Sequence, residues 1–417
     1  ASGTTLTLEP GTIVKAKSTG PGGPSIYGTL IASGTLEQPI YFTSQYDDSV
    51  GGDSDGGGVS IGGPGQWQGL YFKTGSTGEL DHVIVQYSGY GGYGFGDSMG
   101  VENDGGVVTI RNSLINQNNT HGILQKSGTL LLESTVVSNH IYGLNVIGGV
   151  ATAIGNDFIS NSQYGMHVSG GDFITLTSND FTGNAKTAYL EASVGFSHSS
   201  NTSTDIANRG FETSGYVRDG TIWQTNDLPF IIPSSNILFV PIGHTLIIES
   251  GSVVKFGSAG QMIVYGALIS QGTDTSKIYF TSLKDDTVAG DTNGDGAASL
   301  SNMTDWNGLT FQTSSVGNVS HTIIRYSGGL NGTDRAAVFN LGGNLLLDNI
   351  TFSNNYQYDI YQNTGSSTIS RSLFSTTTSS ALWNTGTSTI DARLNWWGTN
   401  AGPVISDNVL FDPWLKR

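Results

Sequence analysis

The sequence predicts an all-β protein, a right-handed parallel β-helix (a solenoid) built from two tandem homologous modules. Three observations predict this fold: the composition, a short repeat of about 22 residues, and one long pattern that is written twice. The chain has 60 glycines among 417 residues, with 36% apolar and only 12% charged residues. The apolar share, rich in Val, Ile, Leu, Phe and Tyr, excludes a disordered chain, and few stretches favour a helix. The composition therefore indicates short strands joined by many tight turns.

A turn motif with asparagine four residues before a glycine recurs in the first half of the chain. Its asparagines, and one further asparagine in step with them, stand 21, 22 and 23 residues apart: Asn118, Asn139, Asn161 and Asn184. Three short strands per turn need about this number of residues, and successive coils of a β-helix stack at about 4.8 Å. We therefore expect like side chains to form ladders along the solenoid, with asparagines at the turns.

One longer pattern occurs twice, about 240 residues apart. The strand Ile40-Tyr-Phe-Thr-Ser44 leads into an acidic loop that ends near Trp67, and Ile278-Tyr-Phe-Thr-Ser282 leads into a second loop that ends near Trp306. The run Leu246–Lys255 likewise matches Leu6–Lys15. We expect a first β-helix module at 1–194, an irregular connecting or capping segment at 195–241, and a second module at 242–417.

The repeated motifs carry a resemblance to a known class of domain. They are Leu-Ile-Ile-Glu-Ser-Gly-Ser-Val-Val-Lys-Phe at 246–256, Trp306-Asn-Gly-Leu, and the closing Asn395-Trp-Trp-Gly with Gly402-Pro403. With them, nearly the whole chain resembles the right-handed parallel β-helix repeat domains of large secreted and cell-surface proteins of bacteria and archaea. The resemblance implies the fold. It leaves the function open, because the same solenoid carries adhesins, surface-layer components and polysaccharide lyases.

Charge and composition exclude several partners. The net charge of −16 argues against nucleic acid and anionic lipid, which need clustered Lys and Arg. The chain has no cysteine, so it has no disulfide or thiolate site. No apolar run approaches the length of a membrane span, so we expect no membrane insertion. The chain opens at Ala1 without a signal-peptide pattern, as expected of a processed or trimmed product. We expect an extracellular or cell-surface location.

The two acidic loops give the strongest chemical signal. Short oxygen ligands alternate along 291–296, and glycines permit a sharp return. Clustered carboxylates repel each other unless a cation lies among them, so we expect both loops to bind Ca²⁺, the first more weakly. The alternative is a solvated acidic turn that binds no ion. The expected ligands are Asp285, Asp286, Asp291, Asn293 and Asp295 in the second loop and Asp47, Asp48, Asp53 and Asp55 in the first.

A glycine-aromatic loop at 88–96 has no counterpart in the second half. Its aromatic residues Tyr90, Tyr93 and Phe95 can stack on sugar rings, which predicts a carbohydrate-binding site. The alternative is a lid that folds back over the side of the solenoid.

No set of residues predicts a catalytic site. Residues present in both modules more often serve the coil than the chemistry, and these are His82 with His321 and Lys15 with Lys255. Three further histidines occur once each, and for them we expect turn or surface roles: His121, His140 and His167.

These observations favour an extracellular structural or adhesive surface protein. We expect a calcium-stabilised solenoid with cell-surface glycans as partners, able to associate head to tail into a filament. One alternative is a polysaccharide lyase or glycoside hydrolase that acts in a groove on the flank and depends on a single residue such as His140 or Asp172. A second alternative is a carbohydrate-binding module without catalysis.

Overall fold

The computed structural model describes residues 1–17, 24–90, 98–224, 227–329, 335–374, 380–398 and 402–416. Every regular element in these ranges is a β-strand. The paired strands are parallel throughout the same ranges, and each lies beside a strand about one repeat away in the sequence. The predicted all-β, right-handed parallel β-helix is confirmed.

The chain divides into two compact units. Unit 1 contains residues 1–190 and 194–207, and unit 2 contains residues 191–193 and 208–417. Each coil of a unit contributes strands to three faces, which we call A, B and C in the order A, C, B along the chain. The strands that leave the two acidic loops lie on face B of their units.

The described residues of unit 1 form eight strands or half-strands on face A and eight on face C. Face A contains β1 (Thr5–Leu8), β4 (Thr29–Ser33), β7 (Thr77–Asp81), the second halves of β9 (Met99–Arg111) and β11 (His121–Glu133), β14 (Val150–Ile154), β17 (Phe173–Thr177) and β20 (Gly195–Ser199). Face C contains β2 (Ile13–Ala16), β5 (Ile40–Ser44), β8 (Val83–Gln86), β10 (Leu114–Asn116), β12 (Val136–Ser138), β15 (Asp157–Ile159), β18 (Asp180–Thr182) and β21 (Thr202–Thr204). Face B contains β3 (Ser25–Ile26), β6 (Leu70–Lys73), the first halves of β9 and β11, β13 (Tyr142–Val146), β16 (Tyr164–Val168) and β19 (Lys186–Leu190).

Unit 2 repeats this arrangement. Face A contains β24 (Thr221–Trp223), β27 (Thr245–Ile248), β30 (Ala267–Gln271), parts of β33 (Val316–Arg325), β34 (Ala336–Ser353) and β35 (Tyr358–Ser370), β38 (Ile390–Asp391) and β39 (Val409–Leu410). Face C contains the end of β22 (Ala207–Glu212), β25 (Phe230–Ile232), β28 (Val253–Phe256), β31 (Ile278–Ser282), the ends of β33 and β34, and β36 (Leu373–Phe374). Face B contains β23 (Gly215–Tyr216), β26 (Ile237–Val240), β29 (Gln261–Val264), β32 (Leu309–Phe311), the first parts of β34 and β35, and β37 (Ser380–Asn384).

The segment 195–241 differs from the irregular connection that we expected. It forms seven strands, β20 to β26, in its described residues. Its prolines do not prevent this, because Pro229 precedes β25, Pro233 follows β25 and Pro241 follows β26. At these positions a missing N–H does not interrupt a strand. The module boundaries at 194 and 241 stay a prediction.

The interior of each unit holds ladders of apolar side chains. Phe158 and Phe181 are fully buried, and their rings stack with centroids 5.0 Å apart and planes 13° apart. Phe352 and Phe374 stack in the same way in unit 2, at 5.1 Å. Burial of each ring stabilises the fold by about 1.5–3 kcal/mol, so the repeat spacing of the phenylalanines has a direct energetic cause.

Buried amides form a second kind of ladder at the turns of unit 1. The Nδ2 of Asn161 donates to the Oδ1 of Asn184 at 2.8 Å, and the Nδ2 of Asn184 donates to the Oδ1 of Asp205 at 2.8 Å. In the coil before them the ladder contains His140, which lies between Asn118 and Asn161. Asn139, which the motif predicts at this place, is exposed. His140 is buried and belongs to the ladder, so it does not have the turn or surface role that we expected.

Unit 2 carries a carboxyl group where the turn motif of unit 1 has glycine. Asp359 follows Asn355 by four residues and is fully buried. Its Oδ1 accepts a hydrogen bond from the Nδ2 of Asn355 at 2.9 Å, and its Oδ2 has no hydrogen-bond partner. Burial raises the pKa of Asp359 to about 8, although the hydrogen bond from Asn355 acts in the opposite direction.

Removal of a ladder amide tests the role of the buried asparagines. We expect Asn161→Ala to lower the free energy of unfolding by about 1–3 kcal/mol, because it leaves the buried backbone N–H of His140 without its acceptor, the Oδ1 of Asn161. The matched control is Asn139→Gly. Asn139 is the asparagine of the same turn motif one coil earlier, but it is exposed, and its positive φ of 63° suits glycine. Urea unfolding of both variants measures the difference. Equal losses would contradict the ladder.

The buried carboxyl of Asp359 predicts a pH dependence of stability. The folded state keeps its proton up to about pH 8, whereas the unfolded chain releases it near 3.8. The free energy of unfolding therefore falls as the pH rises through this window, by a few kcal/mol at most. We expect Asp359→Asn, which is always neutral, to remove this part of the fall between about pH 5 and about pH 8. Urea unfolding is the measurement, and the exposed Asp407→Asn is the control. A variant with the same pH slope as the wild type would count against a buried neutral carboxyl.

Candidate functional site

The two acidic loops leave the solenoid at the same corner of their units, between faces C and B. The first loop joins β5 to β6, and the second joins β31 to β32. Both therefore follow an Ile-Tyr-Phe-Thr-Ser strand whose apolar side chains are buried, and both return to the coil through a buried tryptophan, Trp67 or Trp306.

A lysine ammonium occupies the centre of the second loop. Lys255 reaches from β28 and is fully buried. Its Nζ donates to the backbone oxygens of Asp285 and Gly290 at 2.9 Å each, and to the Oγ1 of Thr292 at 2.6 Å. Burial lowers the pKa of Lys255 to about 8, whereas the nearby carboxylates Asp285, Asp286 and Asp291 act to raise it. The loop is thus folded around a cation that the chain itself supplies.

The aspartate that opens each loop is buried in a closed network of hydrogen bonds. Asp285 accepts bonds from Thr281 and Thr287 and pairs with Arg325, whose Nη2 lies 2.6 Å from its Oδ2. The equivalent Asp47 accepts bonds from Thr43, Ser49 and Gln86, at 2.6, 2.5 and 2.8 Å. The pKa of Asp47 is lowered, because these bonds outweigh the opposite effect of burial. Both carboxylates position their loops.

Three carboxylates of the second loop come together. One oxygen from each of Asp286, Asp291 and Asp295 lies within 4.8 Å of the others. Burial, and then the charge of Asp291, raises the pKa of Asp286. Asp291 also accepts the backbone N–H of Gly294 at 2.8 Å and lies 3.4 Å from the guanidinium of Arg209.

Asn293 stands beside this cluster. Its Nδ2 donates to Asp295 at 2.9 Å, and its Oδ1 has no partner. The role of these residues as metal ligands stays a prediction.

The carboxylates of the first loop are spread over its turns. Asp48 accepts the N–H of Ser60 at 2.7 Å, Asp53 accepts those of Gly56 and Gly58, and Asp55 accepts that of Gly57. The N–H of Gly56 and then that of Gly58 lower the pKa of Asp53.

Lys15 is the counterpart of Lys255, and its Nζ donates to the backbone oxygen of Gly52 at 2.5 Å near the surface. The first loop therefore has the same central lysine with fewer contacts.

The duplicated histidines lie at matching corners. His82 and His321 both have φ of 48°, a left-handed conformation that is uncommon outside glycine. His82 lies 2.7 Å from the carboxylate of Asp81, and His321 lies 3.4 Å from that of Asp274. The identical backbone geometry supports a structural role for the pair.

Of the predicted carbohydrate-binding residues, Tyr90 is partly buried, and its N–H donates to the backbone oxygen of Trp67 at 2.9 Å. Tyr93 and Phe95 lie outside the described residues. A sugar contact at this loop stays a prediction.

The outer side of face B in unit 1 carries a strip of aromatic rings that sequence reasoning missed. Tyr142 and Tyr164 stack with planes 5° apart and centroids 6.3 Å apart, and His121 lies over Tyr142 at 5.4 Å. On the neighbouring outward position, His167 stacks on Tyr189 at 5.3 Å. We call these five residues the unit 1 strip. The signal was present, because three of them directly precede the glycine of the turn motif.

The outer side of face B in unit 2 carries a second aromatic group beside a groove. Phe339, Tyr361 and Trp383 stand on successive coils in register. Tyr358 stacks on Trp383 at 5.5 Å with planes 12° apart. The groove beside them has a volume of about 390 Å³. Its lining includes Gln261, Thr310, Gln312, Phe339, Tyr361 and Asn363. We call it the unit 2 groove.

One comparison with known proteins found a match. A family model described as "Periplasmic copper-binding protein (NosD)" matches residues 93–225, about a third of the chain. This is a right-handed parallel β-helix family, in agreement with the fold. No curated protein matches the chain. The structure contains no helix of sufficient length and apolarity to cross a membrane in the ranges that it describes.

This comparison corrects the predicted cofactor. Ca²⁺ is wrong, because the matching family is described as copper-binding. The contacts of Lys255 give a physical reason why the acidic sequence misled: its ammonium supplies positive charge at the centre of the second loop.

The residues of the matched stretch do not fit a copper centre either. Copper favours imidazole and sulfur ligands, and the acidic cluster at 286–295 lies outside 93–225. Both ring nitrogens of His140 face amides, at 3.2 Å from Asn118 and Asn161. The described part of 93–225 brings no three His, Cys, Asp or Glu ligand atoms together.

Substitution of the two central lysines tests the organisation of the acidic loops. We expect Lys255→Met to destabilise the second loop by roughly 3 kcal/mol or more, because it removes three buried hydrogen bonds and the charge that offsets the carboxylates. Lys15→Met, with one bond near the surface, is expected to cost less than about 1 kcal/mol. Limited proteolysis within 283–305 and urea unfolding are the measurements. Similar effects of the two substitutions would contradict the central role of Lys255.

Proposed function

We propose that this protein is a structural and adhesive solenoid of the cell envelope or exterior, and that it attaches to glycans through the outer side of face B. One observation carries the proposal: partly exposed aromatic rings stand in register on the outer side of the same face in both units. In each unit these rings lie on the strands that follow the corner between faces C and B, so their arrangement recurs with the structural repeat. Aromatic rings beside polar groups suit sugar rings, which have apolar faces and hydroxyl edges.

The charged residues beside the unit 1 strip also favour a neutral or weakly charged partner. At one end of the unit 1 strip, Glu102 is almost fully buried and pairs with Lys73 at 3.2 Å and Lys126 at 3.0 Å. These lysines are neutralised locally, so they form no free basic patch for nucleic acid or anionic lipid. The net charge of −16 points the same way.

The location is inferred from the similarity to a family whose description contains the word periplasmic. The absence of cysteine is compatible with either side of the envelope, because a solenoid of this size has a large enough core without disulfides. Head-to-tail self-association stays a prediction, for which sedimentation at increasing protein concentration is the test.

Among the enzyme alternatives, the structure removes one named candidate. His140 is buried within the amide ladder, and burial lowers its pKa to about 3, although Asn161 acts in the opposite direction. A general base must reach a substrate proton and titrate near the working pH. His140 meets neither condition.

Retention on insoluble polysaccharides tests the proposal. We expect the chain to bind at least one of cellulose, chitin, xylan and peptidoglycan sacculi. The double variant Tyr142→Ala/Tyr164→Ala is expected to lower retention about tenfold, because each lost ring contact contributes about 0.5–1.5 kcal/mol. Tyr265→Ala, which removes a partly exposed ring outside the strip and the groove, is the control.

The same incubations are assayed for new reducing ends and unsaturated products. No retention on any polysaccharide would contradict glycan attachment, and release of products would favour the lyase or hydrolase.

A further inference from the structure

We infer that the unit 2 groove is a subsite for a neutral, hydroxyl-rich sugar chain. This inference rests on the proposed function and names the site and the ligand class. The groove is a depression across four neighbouring strands of face B, β29, β32, β34 and β35. Its volume of about 390 Å³ lies within the range of small-ligand sites.

The lining of the groove has the chemistry of a neutral polar ligand. It includes no Asp, Glu, Lys or Arg, although the chain as a whole carries a net charge of −16. Three side-chain amides and one hydroxyl group surround two aromatic rings: these are Gln261, Gln312, Asn363, Thr310, Phe339 and Tyr361. Amides both donate and accept, as the hydroxyl groups of a sugar do.

The polar groups differ in how far the protein already uses them. The Nε2 of Gln261 donates to the Oγ1 of Thr310 at 3.0 Å, which fixes both side chains and leaves the amide oxygen of Gln261 as an acceptor. The side-chain amides of Gln312 and Asn363 make no hydrogen bond to other described residues. Gln312 and Asn363 follow Thr310 and Tyr361 by two residues on their coils, so their donors and acceptors lie at the same end of the row of aromatic rings and are available to a ligand.

The aromatic side of the groove is held rigid from behind. Phe339 and Tyr361 have centroids 5.9 Å apart, and Tyr361 also packs on Tyr358 at 6.2 Å. Ala336, Phe339 and Tyr358 form a buried apolar cluster on this outer side, distinct from the interior ladders, and Leu341 packs against it. A preformed ring surface lowers the entropy cost of binding, which favours recognition of a repeating sugar unit.

Binding of short soluble oligosaccharides to the full chain tests the inference. The probes are oligosaccharides of a neutral β-glucan, a mannan and a xylan, with oligogalacturonate as the charged comparison, and the readouts are calorimetry and saturation-transfer NMR. We expect at least one neutral probe to bind and oligogalacturonate to bind at least tenfold more weakly. Gln312→Ala/Asn363→Ala removes polar contacts without disturbing the aromatic cluster, and Tyr361→Ala removes the ring. We expect each to weaken binding about tenfold or more.

Two further variants separate this site from the rest of face B. Tyr265→Ala lies outside the groove and the unit 1 strip, and it is expected to leave oligosaccharide affinity within about twofold. Tyr142→Ala/Tyr164→Ala removes the unit 1 strip, and the loss of soluble-probe affinity is expected to be smaller for it than for Gln312→Ala/Asn363→Ala. Unchanged affinity in the Gln312→Ala/Asn363→Ala variant would overturn the inference. If the strip variant then lost binding, glycan attachment would stand and its site would lie in unit 1. Preference for oligogalacturonate would also overturn the inference, and no binding of any probe or insoluble polysaccharide would overturn the proposed function with it.

Discussion

The structure depends on register between successive coils. Strands pair in parallel with strands of the neighbouring coils. Their backbone N–H and C=O groups are hydrogen-bonded only if every coil returns to the same place. Phe158 above Phe181 and Asn161 above Asn184 show how side chains enforce this return. A slip of one residue would expose the phenylalanine and leave the amide without its partner. Length can vary only at the corners, and both acidic loops leave the coil at the same corner.

The periodicity of the sequence was sufficient to predict the fold and the interior ladders, because the length of one sequence repeat equals the number of residues in one coil. It could not predict which turn residue enters the amide ladder. The motif places Asn139 there, but the chain uses His140, since either residue can hydrogen-bond to Asn118 and Asn161. The strands between 207 and 240 were also missed. Their spacing differs from the regular repeat, and their prolines resemble those of a connection until their places at strand ends are seen.

The acidic loops illustrate what local sequence cannot reveal. Their clustered carboxylates suggested a bound Ca²⁺ ion, and the sequence window that contains them does not contain Lys255. That residue lies one coil earlier and reaches the loop only because β28 pairs with β31. The occurrence of Lys15 and Lys255 at matching positions was the sequence feature that indicated a structural role for these lysines. The contacts of both ammonium groups with loop backbone oxygens agree with that role. The sequence also does not show whether an aromatic side chain points into the coil or out of it. The aromatic rings on the outer side of face B were therefore not predicted from the sequence.

The interior and corners of each unit hold the coils in register, and the outer side of face B carries partly exposed aromatic rings and side-chain amides. The most direct measurement of this account is a crystal structure of the chain with the oligosaccharide that binds best. The account predicts a sugar ring packed within about 4 Å of Tyr361 and hydroxyl groups bonded to Gln312 and Asn363. A sugar bound at the acidic loops or on face A, with the outer side of face B bare in both units, would contradict it.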